Sequence, residues 1–214
     1  MICMEKNMER QLKNNSDWRF EKKFIVESHL FTSVLKSFLQ DGWYEIFPDR
    51  YVNSIYFDDI KFTSYYENLL GISDRTKYRL RFYGETFKGE GVYERKIRHS
   101  DVNTKKTIKV SDLNLDLVKL QFPKMITLSP VVHVRYKRKY FFNSFLDCRM
   151  TIDSDLEYKC LNSKNLIKDD KLVIEIKSNN ENSQENLPEI LSFNTRNSKY
   201  CSSVSSLNLV EEGY

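Results

Sequence analysis

"RTKYRLRFYG" (residues 75–84) sets Arg75, Lys77, Arg79 and Arg81 at alternate positions. Strand residues two apart share a face, so these cations line one side of a strand while Tyr78, Leu80 and Phe82 line the other. The apolar side calls for cover from the rest of the chain. The basic side either meets water or lines something hollow and anionic.

The same alternation recurs on both sides of this stretch. Glu21 and Lys23 oppose Phe20, Lys22 and Phe24; Glu94, Lys96 and Arg98 oppose Tyr93 and Ile97; Arg149, Thr151 and Asp153 oppose Met150 and Ile152; Glu175 and Lys177 oppose Ile174 and Ile176. One such strand reads as a half-buried sheet with a solvated side. The repetition, with Arg, Lys and Glu where a bland surface carries Ser, Thr and Gln, points to a barrel whose charged faces turn inward. Unpaired buried charge is costly, but a wet tunnel lets carboxylates pair with cations and a bound polyanion complete the neutralisation. Arg grips two phosphate oxygens with its planar fork and Lys adds a mobile point charge, so a triphosphate suits such a lumen. Glu175, mid-strand in the apolar run "LVIEIK", is the candidate metal ligand.

Composition agrees with a folded domain. The 214 residues are 40% hydrophobic and 14% aromatic, and the formal charge of +4 is a small difference between 34 Lys+Arg and 30 Asp+Glu. Overall attraction to polyanions is therefore modest and local placement matters more. Cys3, Cys148, Cys160 and Cys201 are widely spaced, without the pairs of a zinc site or the density of a disulfide scaffold. They read as reduced thiols in a cytoplasmic protein. No apolar run has signal-peptide or membrane-spanning length.

Residues 1–17 read as a polar lead-in and 18–214 as one α+β domain dominated by an antiparallel sheet. Strands are expected at 18–26, 51–59, 75–84, 91–98, 104–110, 131–142, 148–153 and 171–178. Helices are expected at 27–42, 60–71, 111–122, 185–192 and from Ser198 onward, packed outside the barrel. His29, His99 and His133 lack metal-ligand spacing, and Trp18 and Trp43 read as packing residues. "RYKRKY" (135–140) is open to two readings. A nucleic-acid patch predicts an exposed groove, whereas a tunnel predicts that Arg138 shares a cavity with Arg79 and Arg81.

The ordered set "RFEKKFIV", "VNSIYFDD", "RTKYRLRFYG", "YERKIR", "TKKTI", "VRYKRKYF", "CRMTID", "LVIEIK" and "SKYCSSV" resembles the tunnel domain of the vacuolar transporter chaperone (VTC) polyphosphate polymerases. That domain is a branch of the triphosphate tunnel metalloenzymes, which also include the CYTH-type triphosphatases. The likeness runs from about Trp18 to about Leu209. It implies phosphate contacts from Lys23, Arg79, Arg81, Lys96, Arg138, Arg149 and Lys199, joined by Lys105 or Lys106, which the sequence does not separate. It implies Glu175 as the ligand of Mn²⁺ or Mg²⁺, with Glu21 and Glu94 balancing charge or acting through the metal's water shell.

The resemblance further implies ATP or another triphosphate and inorganic polyphosphate as partners, with no nucleic acid and with a membrane complex as a conceivable associate. In polymerase members an acceptor phosphate attacks the γ-phosphate of ATP in line. No side-chain nucleophile is needed, in keeping with the absence of a Ser-His-Asp or Cys-His constellation and of a GxxxxGK[ST] loop. A tunnel triphosphatase and a non-catalytic polyphosphate sensor would carry nearly the same residues.

Overall fold

The computed structural model describes residues 20–86, 89–99, 102–111, 123–179, 191, 195 and 197–210. The strands are β1 (Phe20–Glu27), β2 (Tyr44–Asp58), β3 (Arg75–Tyr83), β4 (Glu90–His99), β5 (Val102–Ser111), β6 (Ser129–Asn143), β7 (Cys148–Cys160), β8 (Leu166–Asp169) and β9 (Lys171–Ser178). The helices are α1 (Phe31–Gln40), α2 (Thr63–Leu69) and α3 (Lys199–Ser206), with short 3₁₀ turns at Ser28–Leu30 and Pro123–Thr127. The lead-in, Trp18, and the helices expected at 111–122 and 185–192 fall outside the described residues, apart from Ser111 in β5 and Leu191.

All the ladders are antiparallel, in the order β1-β9-β7-β6-β2-β3-β4-β5, with β8 added beside β7. No ladder joins β5 to β1 among the described residues, so hydrogen bonds do not close the expected ring there. The sheet is nonetheless curled. β4 and β9 are five strands apart along it, about 24 Å if it were flat. Yet Lys96 of β4 has Glu21 and Lys23 of β1 and Glu175 and Lys177 of β9 as its charged neighbours. One face is therefore concave, and its two ends approach each other.

The convex face carries the apolar half of the alternation. Val34 and Phe38 of α1 pack with Phe24, Val26, Met150, Ile152, Leu172, Ile174 and Ile176 from β1, β7 and β9. Gly42, at φ +80°, turns the chain out of the helix. Trp43 then meets Phe38 edge-on, with ring centroids 5.6 Å apart. Tyr78, Leu80, Tyr93, Ile108 and Val110 form a second convex cluster with Phe57 and Met125. β2 begins earlier than expected, at Tyr44, and the register shifts around Phe47 accommodate Pro48, which lacks the N–H of a ladder residue.

A bulge divides the concave face into two zones. Asp155 of β7 has φ +52°, and the β6–β7 register slips between Arg135 and Lys137. An extra residue reverses the facing of everything beyond it. Before it Arg149, Thr151 and Asp153 face inward; after it Leu156, Tyr158 and Cys160 do, alongside Val132 and Val134 of β6. The apolar zone is covered by α3, whose Tyr200, Val204 and Leu207 join that cluster. The expectation that every helix lies outside the sheet is thus corrected: α3 plugs one end of the concave side, because the apolar surface made by the bulge needs cover.

Candidate functional site

The remaining concave surface is a charged floor fixed by strand register. Arg79 pairs across β2 with Tyr56 and across β4 with Glu94, and Arg81 lies opposite Ser54. Arg138 lies between Arg50 of β2 and Asp153 of β7. Lys23 is opposite Glu175, and Glu21 and Arg149 are both opposite Lys177. Arg138, Arg79 and Arg81 therefore share one face, the tunnel outcome for "RYKRKY".

The alternate residues of that run confirm the split. Arg135 on the convex face binds Glu85 at 2.6 Å and Glu157 at 3.3 Å, Lys137 binds Asp49 at 2.9 Å, and Lys139 binds Glu45 at 2.7 Å. Those three cations are each paired with carboxylates of other elements.

The two neighbouring lysines that the sequence left equivalent are separated by register. Lys105 lies opposite Lys96 and is close enough to Glu94 to lower its pKa. Lys106 lies opposite Arg95 on the convex side, so its placement among the phosphate contacts is withdrawn in favour of Lys105.

Each carboxylate of the floor is tied to cations. The Arg79 guanidinium grips Glu94, with Nε at 2.5 Å, and Arg81 stands 3.9 Å from the other oxygen. Arg138 makes a bidentate pair with Asp153 at 2.6 and 2.8 Å, and Lys199 of α3 reaches the same carboxylate at 2.6 Å. Lys177 bridges Glu175 at 2.8 Å and Glu21 at 3.3 Å, and Glu21 also pairs with Lys23.

Burial by itself would raise the pKa of these acids, but the cations win. Lys177, Lys23 and Arg138 hold Glu175 well below the usual carboxylate range. Arg138 and Lys199 lower the pKa of Asp153 against its burial, and Arg79 and Arg81 that of Glu94. Burial lowers the Lys77 ammonium to about 8, helped by Arg75, Lys96 and Lys23 and opposed by Cys201.

Pairing on the floor is incomplete. Arg81 Nε, Ser54 Oγ and Thr151 Oγ1 are buried without a hydrogen-bond partner among the described residues. All three belong to residues on the concave face. A buried unmet donor or acceptor costs about 1–3 kcal/mol, which a polar ligand on the floor would relieve for these three; Trp43 Nε1, Arg95 Nε and Arg135 Nε, off the floor, are also unmet among the described residues. Thr151 lies directly across the ladder from Glu175. Among the described residues no three His, Cys, Asp or Glu side chains gather to form a metal cage. A hard cation of Mg²⁺ type does not need one, since it binds through one or two carboxylates and keeps its remaining positions for water and phosphate oxygens. Glu175, Glu21 and the Thr151 hydroxyl fit that description.

Several residues of the floor were not singled out by sequence. Asp153 is wholly buried and anchors both Arg138 and Lys199. Lys77 donates to Ser198 Oγ at 2.7 Å, joining β3 to the start of α3. Tyr136 lies beneath both Arg138 and Lys199, at 5.2 and 4.8 Å from its ring centroid. The alternation put Asp153 and Lys77 on the right face, but their roles depend on a helix distant in sequence.

The comparisons with known proteins agree with this architecture. The family model described as the VTC domain matches residues 18–119 and 114–208. Among solved structures, an adenylyl cyclase candidate from Hippeastrum, described as revealing a dominant triphosphatase activity, superposes with a TM-score of 0.54 at 14% identity, over 87% of this chain and 95% of that one. An adenylate cyclase candidate from Bacillus halodurans gives a TM-score of 0.50 at 9% identity, over 92% and 94%. At these identities the likeness is one of fold. No curated protein matches the chain, and no helix among the described residues is long and apolar enough to cross a membrane.

Proposed function

The chain belongs to the VTC domain family, and from that premise we propose that it is a metal-dependent polyphosphate polymerase that transfers the γ-phosphate of ATP to a growing polyphosphate chain. The observation that carries this reading is the convergence of Lys23, Arg79, Arg81, Lys96, Arg138, Arg149 and Lys199 on one concave face where Arg81 Nε, Ser54 Oγ and Thr151 Oγ1 still want partners. A row of phosphates supplies acceptors for the guanidinium and for the hydroxyl protons. The Arg side chains are already oriented by Glu94 and Asp153, so little further ordering is needed to grip an anion.

On this reading the terminal phosphate of the acceptor attacks the γ-phosphorus in line as its bond to the β-bridging oxygen breaks, releasing ADP. The side chains position the two anions and offset their repulsion, and none is consumed. Glu175, with Glu21 and Thr151 beside it, would hold Mn²⁺ or Mg²⁺. When bound, such an ion neutralises charge on the phosphate oxygens. A triphosphatase, with water as the acceptor, is the second reading, since the same cations would grip the triphosphate.

Purified protein incubated with ATP and Mn²⁺, alongside Glu175→Gln, decides between these once polyphosphate and free phosphate are resolved separately. The polymerase yields long polymer that the variant fails to make. Free phosphate alone supports the triphosphatase. Tight triphosphate binding with neither product indicates a sensor.

A further inference from the structure

Where the charged floor ends away from α3, the concave side changes to aromatic. Tyr83 follows Arg81 by two residues on β3, and Tyr140 follows Arg138 by two on β6, about 7 Å further out at the rise of a strand. Phe47 pairs with Tyr140 across the β2–β6 ladder and meets its ring edge-on at 5.9 Å, and Tyr44 meets Phe142 in the same way at 6.0 Å. Tyr83, Phe47 and Tyr44 are 44%, 41% and 40% exposed. Large rings left that open beside a site lined by cations are not serving the core.

Arg50 ties this rim to the floor. Its guanidinium lies 4.0 Å from the Tyr83 ring centroid and 5.2 Å from that of Tyr140, and its Nε donates to the Tyr140 hydroxyl at 2.9 Å. The Tyr140 hydroxyl in turn lies within the field of Arg138, and Arg149 within that of Tyr140. Tyr83 thus has a cation against one face, while much of its remaining surface stays in water. A ring held in this way is a stacking platform, one that a planar heteroaromatic group uses and a bare phosphate chain does not.

We propose that Tyr83 and Phe47, backed by Arg50, form a base-stacking subsite at the mouth of the charged floor, so that the phosphate donor is a nucleoside triphosphate bound with its base outward. This deepens the polymerase reading and rests on the floor being the phosphate site. The phosphates occupy the Arg81 and Arg138 region, and the sugar spans the short step to the rim. Inorganic tripolyphosphate would use the floor and leave the platform empty. The stacking contact is indifferent to which base is carried, because every base has a π-face.

The test is calorimetric titration of the full chain with ATP, UTP and inorganic tripolyphosphate, reading the ratio of nucleotide to tripolyphosphate affinity. Tyr83→Ala lowers that ratio about tenfold for both nucleotides, Phe47→Ala lowers it in the same sense, and Tyr83→Phe restores it. Both positions are exposed, so either alanine variant serves if the other folds poorly, with the melting curve as check. An unchanged ratio in the folded alanine variants overturns the platform while leaving the phosphate site standing. Failure of the parent chain to bind any of the three ligands overturns both.

Discussion

The concave face holds two regions made by the same strands, and they differ in what they leave unpaired. Under α3 the surface is apolar, and the carboxylates at its border are saturated. Asp58 accepts from the Ser64 and Tyr65 amides at 3.0 Å each and from the Tyr200 hydroxyl at 2.6 Å, and Asp153 accepts from Arg138 and Lys199. On the floor Arg81, Ser54 and Thr151 each keep an unmet polar atom. The capped end is finished as a core is finished. The floor keeps three polar atoms that a bound anion could complete, whereas the carboxylates at the capped end have no such need.

The contrast breaks most severely if the floor loses its forks. Arg79→Ala with Arg81→Ala removes at least two charge-assisted hydrogen bonds, each worth about 1.5–3 kcal/mol, so triphosphate affinity falls by a factor on the order of 10²–10⁴. Glu94, only 7% exposed, would then be stranded, so Glu94→Gln belongs in the same variant to keep folding out of the measurement. Titration of the folded triple variant with tripolyphosphate at unchanged affinity would contradict the floor as phosphate site.

The border gives the next largest effect, on stability. Asp153→Asn leaves Arg138 and Lys199 without their shared anion, and breaking a buried pair in this way costs about 3–5 kcal/mol. Urea denaturation reads it directly. Asp153 is held ionised by cations that outweigh its burial, so its contribution is present at neutral pH and is lost as pH falls through its lowered folded value. A variant as stable as the parent would mean that α3 is held by its apolar contacts alone.

Lys77 sharpens the comparison more finely, because it stands where the two regions meet. Facing it are Arg75 on its own strand, Lys96 of β4, Lys23 of β1, and Ser198 and Cys201 at α3. In the free protein its pKa is about 8, and a polyanion raises it. Below pH 8 the amine is already charged and affinity is flat; above it binding must take up a proton, and affinity falls by up to about tenfold per pH unit. Lys77→Arg flattens this slope, since arginine stays charged throughout, while Cys201→Ser keeps it. The same depression works against folding below pH 8 and relaxes as pH rises toward the unfolded value of about 10.4. An equally steep slope in Lys77→Arg would assign the titration elsewhere.

How much of this was legible depends on whether a local period carried it. The alternation in "RTKYRLRFYG" and "KLVIEIKS" specifies which side chains face together, and β3 and β9 occupy 75–83 and 171–178. The bulge was not legible, because a left-handed Asp155 inside a continuous strand looks like the turn residue that Asp usually is. With it went the second half of β7, the apolar zone and the seat of α3. The choice of Lys105 over Lys106 required a register, and the roles of Asp153 and Ser198 required contacts with elements far along the chain. The convex partners of Arg135, Lys137 and Lys139 were hidden for the same reason, since Glu85, Asp49 and Glu45 lie on other elements.

Those convex cations supply the smallest effect and the strictest control on the whole comparison. Lys137 and Lys139 flank Arg138 in the same basic run, one residue to either side and so on the opposite face, and their ammonium groups reach Asp49 and Glu45 in solvent. Exposed pairs of this kind contribute little to stability because water screens them and ordering two long side chains offsets the attraction. Lys137→Ala and Lys139→Ala are therefore expected to leave both the melting temperature and tripolyphosphate affinity at parent values, while Arg138→Ala one position away lowers affinity sharply. If the lysine variants weakened binding as much as Arg138→Ala, charge density along the run, and not the inward facing of one residue, would be what the ligand reads.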